Sequence, residues 1–372
     1  MANLQQRKIK VIISGGGTGG HIFPAVAIAN ELMRVNVENE ILFVGAEGRM
    51  EMEKVPAAGY KIVGLKIAGI QRKFDLKNFL LPFKVLNSVI KSRKIIREFK
   101  PDAAVGVGGY ASGPLLYAAT GMHIPSLIQE QNSFAGITNK ILSRRVKKVC
   151  VAYDGMSNYF PAEKIVMTGN PVRENVVEIA GKKEEAFNFF NLDAGKKTVL
   201  VIGGSLGARS INNAITGSLE KFSASNTQLI WQTGKNYFSA ATHAVKDFND
   251  KGARCYDFIN RMDLAYSCAD VVISRAGASS VSELQLVGKP CVLVPSPNVA
   301  EDHQTKNAMA LFNRQAALVV RDDEAATLAD TAIGLTRDEA KQKMLSQNIS
   351  SLALRNSAEK IVEEIYRMIE KK

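Results

Sequence analysis

The sequence predicts an α/β fold built from two doubly wound, parallel-sheet domains in series. Three observations carry this expectation. Apolar strand-like runs alternate with helical patterns along the chain, the arrangement that puts helices on both faces of a parallel sheet. A glycine loop opens each half: GGGTGGHIFPAVAI near the start is echoed by GGSLGARSINNAI after KTVLVIGG. Finally, 372 residues exceed what one hydrophobic core usually organises.

Taken in order, the strands of the first half are KVIIS, EILFVG, DAAVGVGG, PSLIQEQ and KKVCVAY, and those of the second are KTVLVIGG, TQLIWQTG, DVVISRAG and PCVLVPS. The join falls near TGNPVREN, Thr168 to Asn175, where Asn-Pro punctuates the pattern. This gives domains of residues 1–172 and 173–355. The tail NSAEKIVEEIYRMIEKK, 356–372, opens with a capping-box pair, Asn356 and Glu359. Ile361, Ile365 and Ile369 follow at helical spacing, so a final helix must lie on a core.

Composition excludes several classes. Apolar content of 46% and charged content of 23% are those of an ordinary globular protein. The start MANLQQRKIKVIIS has no extended apolar region or small-residue cleavage site, so no signal peptide is expected. The uncharged run Ala103–Met122 is long enough to span a bilayer, but Gly106, Gly108, Gly109, Gly113 and Pro114 break it into strand, loop and helix. Cys150, Cys255, Cys268 and Cys291 show no C-x-x-C pairing and read as reduced core thiols.

A net charge of +12 and a pI near 9.4 call for an anionic partner: nucleic acid, a phosphorylated ligand or an acidic membrane. The charge is concentrated. Between Gln71 and Lys100, nine Lys or Arg face two acidic residues, and apolar residues interleave with them. Such a basic amphipathic surface suits a lipid interface, although a solvated helix packed on a core has the same pattern.

Gly15, Gly17 and Gly20 satisfy G-x-G-x-x-G, which raises a dinucleotide site. That site also needs an acid at the end of the second strand to take ribose hydroxyls. Here ILFVG ends in Val44 and Gly45, Glu47 arrives late, and TQLIWQTG has no acid, so a dehydrogenase is a weak rival. What remains is the physical core of the motif, glycines that let backbone amides approach an oxyanion at a helix start. Gly203, Gly204, Ser205 and Gly207 repeat the device, and closing tight turns is the structural alternative in both halves. In DVVISRAGASSVSELQLVGKPCVLVP a strand ends at Ser274, Gly277 turns the chain, and Ser279 or Ser280 caps a helix that stops at Gly288. Glu283 then reads either as the far end of a capping box from Ser280 or as an acceptor for ribose hydroxyls, with Arg275 adding charge beside a diphosphate. His21 is unusual in such a loop. Its imidazole either hydrogen-bonds loop carbonyls or takes a proton as general base.

Together GGGTGGHIFPA, GGYASGP, QEQNSFAGITNK, GNPVR, GGSLGARSIN and SRAGASSVSEL...EDHQTKNA, spread from Ser14 to Leu311, resemble the MurG family of glycosyltransferases. The resemblance implies a GT-B fold, two Rossmann-like domains facing across a cleft, with the last helix returning to the first domain. It implies transfer of N-acetylglucosamine from UDP-N-acetylglucosamine, held mainly by the second domain, to the 4-hydroxyl of lipid-linked muramyl pentapeptide (lipid I), held by the first at the cytoplasmic membrane face. Carried over residue by residue, donor contacts fall on Thr18, Gly19, Gly20, Asn132, Arg173, Ser205, Ile259, Ala278, Ser279 and Gln304, with Glu283 at the ribose and the Ile259 backbone on uracil. Some members carry Gln-Gln where this chain has His303-Gln304. His21 becomes the catalytic base, and Phe79, Leu80, Leu81, Phe83 and Lys84 meet an anionic membrane surface. No D-x-D occurs, so no metal or other cofactor is expected, nor a nucleic-acid partner. A UDP-N-acetylglucosamine 2-epimerase shares the architecture and is the alternative enzyme; a nucleotide-sugar or lipid binding protein would have no use for His21.

Overall fold

A computed structural model describes residues 7–67, 81–172, 174–204, 207–299 and 302–370. The chain divides into two compact units, Met1–Val172 with Arg355–Lys372, and Arg173–Leu354.

The first unit runs β1 (Lys10–Gly15), α1 (Gly19–Val35), β2 (Glu40–Ala46), α2 (Glu51–Ala57), β3 (Lys61–Leu65), α3 (Leu81–Phe99), β4 (Ala103–Gly108), α4 (Ser112–Gly121), β5 (Ser126–Glu130), α5 (Ile137–Ser143), β6 (Lys148–Val151) and β7 (Ile165–Met167). Its parallel sheet has the order β3-β2-β1-β4-β5-β6-β7. Strand side chains alternate between two buried faces, which is why the central strands read as continuous apolar runs. Val11 and Ile13 pack on one face with Ile22, Ala25 and Ile28 of α1; Ile12 packs on the other with Leu115 and Leu116 of α4 and Ile95 and Ile96 of α3.

The second unit runs α6 (Glu174–Val177), α7 (Lys183–Phe190), β8 (Lys197–Ile202), α8 (Arg209–Thr216), α9 (Leu219–Ala224), β9 (Thr227–Gln232), α10 (Lys235–Val245), β10 (Ala253–Tyr256), α11 (Met262–Cys268), β11 (Val271–Ser274), α12 (Ala278–Val287), β12 (Cys291–Leu293), α13 (His303–Phe312), β13 (Leu318–Val319), α14 (Leu328–Arg337) and α15 (Glu339–Ser351). Its sheet order, β10-β9-β8-β11-β12-β13, repeats the winding of the first sheet. The last helix, α16 (Ser357–Glu370), belongs to the first unit and packs on α1. Ile361, Ile365 and Ile369 are its buried stripe, and each such side chain contributes about 1.5 to 3 kcal/mol of hydrophobic stabilisation. Asn39 fixes the contact by donating to Tyr366 Oη at 3.1 Å.

Cys150, Cys268 and Cys291 are buried free thiols. Burial pushes the last two up to about 12, which keeps them protonated and unreactive.

An ion triad centred on the buried Asp263, with Arg261 and Lys182 partly exposed, ties down α11. Asp263 accepts from Arg261 at 2.9 Å and from Lys182 at 2.9 Å, and the Arg261 bonds above all hold its carboxyl well below the ordinary value of 3.8. A lowered folded value means that this stabilisation is present above pH 3.8 and is lost as the pH falls from there. Asp263→Asn should therefore lower the thermal midpoint by a few degrees at neutral pH, with the gap to wild type closing in acid. A constant gap across that range in circular-dichroism melts would refute the assignment.

Candidate functional site

Each sheet has a switch point, between β1 and β4 in the first unit and between β8 and β11 in the second. The chain leaves β1 toward one face and β4 toward the other, so a crevice opens beyond the carboxyl ends of those strands. The predicted loops lie there.

In the first unit the two loops interlock. Gly16 N donates to Gly108 O at 3.2 Å. Gly109 has φ +90, and a Cβ on it would stand 2.4 Å from Gly16 O, so only glycine permits this approach. The His21 ring lies against Gly108, where a Cβ would stand 2.7 Å from Nε2. His21 Nδ1 is 3.0 Å from Gly16 O. A carbonyl only accepts, so this contact puts the proton on Nδ1, and the neutral ring then carries its basic lone pair on Nε2. Bracing the loop and serving as a base are thus compatible roles for one ring.

Beneath the loop sits a residue that sequence reasoning missed. Glu51 is 1% exposed; its Oε2 accepts from Gly17 N at 2.8 Å and its Oε1 from Ala46 N at 3.0 Å. The Gly16 and Gly17 amides are therefore engaged within the protein. This explains why the G-x-G-x-x-G match does not make a dinucleotide site: a carboxylate occupies an amide that would otherwise approach a pyrophosphate. Glu47, the late acid of the sequence, pairs with Lys91 at 3.2 Å instead. Thr18 is the extended N-cap of α1, with no side-chain cap bond, and Gly19 and Gly20 begin its first turn.

A second buried carboxylate shapes the loop after β5. Glu130 Oε1 accepts from Asn132 N at 3.1 Å and Nδ2 at 3.3 Å, while Oε2 accepts from Gly136 N at 3.1 Å and Asn139 Nδ2 at 2.8 Å. It sets the orientation of Asn132, and the sequence signal was its place at the end of the QEQ strand.

In the second unit, Ser205 lies outside the described residues, as does Arg173. Its neighbour Gly207 has φ +78, and a Cβ there would meet Thr233 O at 2.2 Å. Helix α12 starts one residue earlier than Ser279, at Ala278, and Gly277 is its extended N-cap without a side-chain cap bond. The expected cap by Ser279 or Ser280, and the box with Glu283, are therefore corrected. Glu283 is too far along the helix to reach back, and its Oε2 instead accepts from Tyr266 Oη at 3.0 Å. Among the described residues, buried Ser279 Oγ has no hydrogen-bond partner. Arg275 does not stand as a charge for a diphosphate: Asp322 takes it at 2.5 Å, with Ser210 Oγ at 2.9 Å and Val294 O at 3.1 Å completing its contacts. Ile259 is 3% exposed and its N–H donates to Gln232 Oε1 at 2.9 Å. Gln304 Oε1 accepts from Ser296 N at 2.9 Å, which turns its amide NH2 away from that bond. His303 is the first residue of α13. Among the described residues no three His, Cys, Asp or Glu side chains are grouped to hold a metal ion.

Of the expected membrane residues, Phe79 and Leu80 lie outside the described residues. Leu81 and Phe83 fall on α3, and Lys84 is exposed there. Further along α3, Val89, Ile95 and Ile96 are buried while Val85, Leu86 and Ile90 are exposed at 40%, 57% and 56%. Among the described residues no helix is long and apolar enough to cross a membrane.

Comparison with known proteins agrees with this arrangement. Residues 11–151 match the glycosyltransferase family 28 N-terminal domain and residues 198–365 the family's C-terminal domain. The chain is 58% identical over 367 residues to a protein of Parabacteroides distasonis named UDP-N-acetylglucosamine–N-acetylmuramyl-(pentapeptide) pyrophosphoryl-undecaprenol N-acetylglucosamine transferase, covering 98% of this chain and 100% of that one. A protein of the same name from Bacteroides thetaiotaomicron is 55% identical, with 98% and 99% covered. Among solved structures, the Acinetobacter baumannii MurG superposes with a TM-score of 0.74 at 28% identity, covering 97% of this chain and 100% of that one. A Neisseria meningitidis UDP-GlcNAc 2-epimerase bound to UDP-GlcNAc shares the fold at 14% identity and a TM-score of 0.66. Two Rossmann-like units wound alike, two consecutive family domains and full-length relatives at more than half identity place this chain in glycosyltransferase family 28, with the GT-B type of fold.

Proposed function

We propose that this chain transfers N-acetylglucosamine from UDP-N-acetylglucosamine to lipid-linked N-acetylmuramyl-pentapeptide, inverting the anomeric centre. The observation that carries the donor side is the start of α12. Its cap residue is a glycine with no side-chain cap, and the buried Ser279 hydroxyl has no hydrogen-bond partner among the described residues. Helix-start amides and a hydroxyl donor are what a departing diphosphate needs as its negative charge grows. Ser205 and Arg173 extend this set by family resemblance. Glu283 takes the ribose hydroxyls, the Ile259 carbonyl faces uracil N3–H, and the Gln304 NH2 group donates to the sugar. In the first unit Thr18, Gly19, Gly20 and Asn132 complete the donor contacts, and His21 Nε2 receives the proton of the attacking 4-hydroxyl.

The relatives' printed name and the shared domains favour transfer over epimerisation, since the epimerase likeness is one of fold. The decisive assay is UDP release. It should require both UDP-N-acetylglucosamine and the lipid-linked acceptor; release or epimerisation without acceptor would overturn the reading.

The acceptor is lipid-linked, and α3 supports a peripheral membrane site, which family resemblance puts at the cytoplasmic face. Val85, Leu86 and Ile90 are exposed among Lys84, Arg93, Lys94 and Arg97. Each cation near an anionic surface contributes roughly 1 kcal/mol, reduced by salt. Co-sedimentation with vesicles should therefore depend on anionic lipid and fall as salt rises. Equal binding to neutral vesicles at every salt concentration would remove the electrostatic part of the proposal.

A further inference from the structure

We infer that Tyr266 is a positioning residue for the nucleoside of the donor, acting through Glu283; this rests on the reading of Glu283 as the ribose acceptor. Tyr266 is fully buried, yet its hydroxyl is not idle: Oη donates to Glu283 Oε2 at 3.0 Å. A phenylalanine would fill the same space, so packing alone does not account for the oxygen. A glutamate side chain has three rotatable bonds, and an acceptor for two adjacent hydroxyls must present its oxygens at a fixed angle. Hydrogen bonding of one oxygen to a rigid phenol removes that freedom before the ligand arrives.

The donor of this bond is itself anchored. Helix α11 carries Tyr266, and its start is held by the Arg261–Asp263–Lys182 triad. Just ahead of that triad is Ile259, whose amide is fixed by Gln232 at 2.9 Å. One short segment, 259–266, therefore bears both the proposed uracil contact and the brace of the proposed ribose contact. The spacing between base and ribose contacts is set by a single rigid piece of chain, with Tyr266 as its link to α12.

The test compares UDP with 2′-deoxy- and 3′-deoxy-UDP as competitive inhibitors of wild type, Tyr266→Phe, Glu283→Ala and the double variant, with thermal midpoints measured alongside. Tyr266→Phe should weaken UDP by about two- to tenfold, the equivalent of one net hydrogen bond, while affecting less the deoxy-nucleotide that lacks the hydroxyl in question. Its preference for UDP over that analogue should shrink, and the donor KM should rise more than kcat falls. In the Glu283→Ala background the same substitution should change the preference no further. If Tyr266→Phe lowers the thermal midpoint but leaves the UDP preference intact, or acts equally with and without Glu283, Tyr266 is only a core residue and the inference fails. If Glu283→Ala itself leaves the preference intact, the ribose reading of Glu283 is wrong and the inference falls with it.

Discussion

Replacing His21 with alanine should lower turnover about 100- to 10,000-fold, the usual contribution of a positioned acid or base, with little change in donor affinity. Alanine alone does not separate base from brace, since it removes both ring nitrogens. Asparagine does. Its NH2 group can replace Nδ1–H as donor to Gly16 O, now 3.0 Å from the ring, but nothing replaces the Nε2 lone pair. His21→Asn should therefore recover thermal stability lost in His21→Ala without recovering turnover. If asparagine restores both, the ring is a loop brace and another group takes the proton.

The geometry also explains why His21 was visible in the sequence and its support was not. A histidine among glycines breaks a local pattern, so it stands out within one short stretch. Glu51 breaks none: it opens α2 among Glu47, Glu53 and Lys54, where an acid at a helix start is ordinary, and only the fold turns it under a loop 34 residues away. The capping-box reading of Ser280 and Glu283 failed for a related reason. Ser-x-x-Glu is a local signal, but the turn at Gly277 starts the helix earlier and Tyr266, 17 residues back in sequence, claims the carboxylate.

Strand recognition divides along the same line. The nine strands legible as apolar runs form the interiors of both sheets, whereas β3, β7, β10 and β13 were not read from the sequence. These four are the sheet edges. An interior strand is covered by neighbours on both sides and by helices on both faces, so it is uniformly apolar. An edge strand is only partly covered: KIVGL and ARCY mix polar with apolar residues, IVM and LV are too short to show a pattern, and all four are mostly half-buried, their pairing dictated by the strand beside them. The repeated winding was legible because it depends on the interior strands. Arg275 was misread because Asp322, its partner, lies 47 residues further on.

Removing the Glu51 carboxylate should be the most damaging change outside the residues expected to touch substrate. In Glu51→Ala the Gly17 and Ala46 amides lose their acceptor, and stranding the buried Ala46 amide alone costs about 1 to 3 kcal/mol, while half-buried Gly17 loses less. Glutamine is the sharper probe, because it keeps the volume. Its single carbonyl oxygen can serve one amide, but its NH2 then faces the other donor, so one of the two bonds is replaced by a repulsive contact. The consequence reaches chemistry through the backbone: Gly16 and Gly17 lead into the first turn of α1, and Gly16 O is the carbonyl that His21 faces. Glu51→Gln should therefore lower the thermal midpoint and also lower turnover, and adding substrate should not restore the rate. Should Glu51→Gln melt like wild type and turn over normally, the glycine loop holds its shape without the carboxylate. Should it lose stability but keep full turnover at a temperature where it is folded, Glu51 serves the fold and leaves the position of His21 untouched.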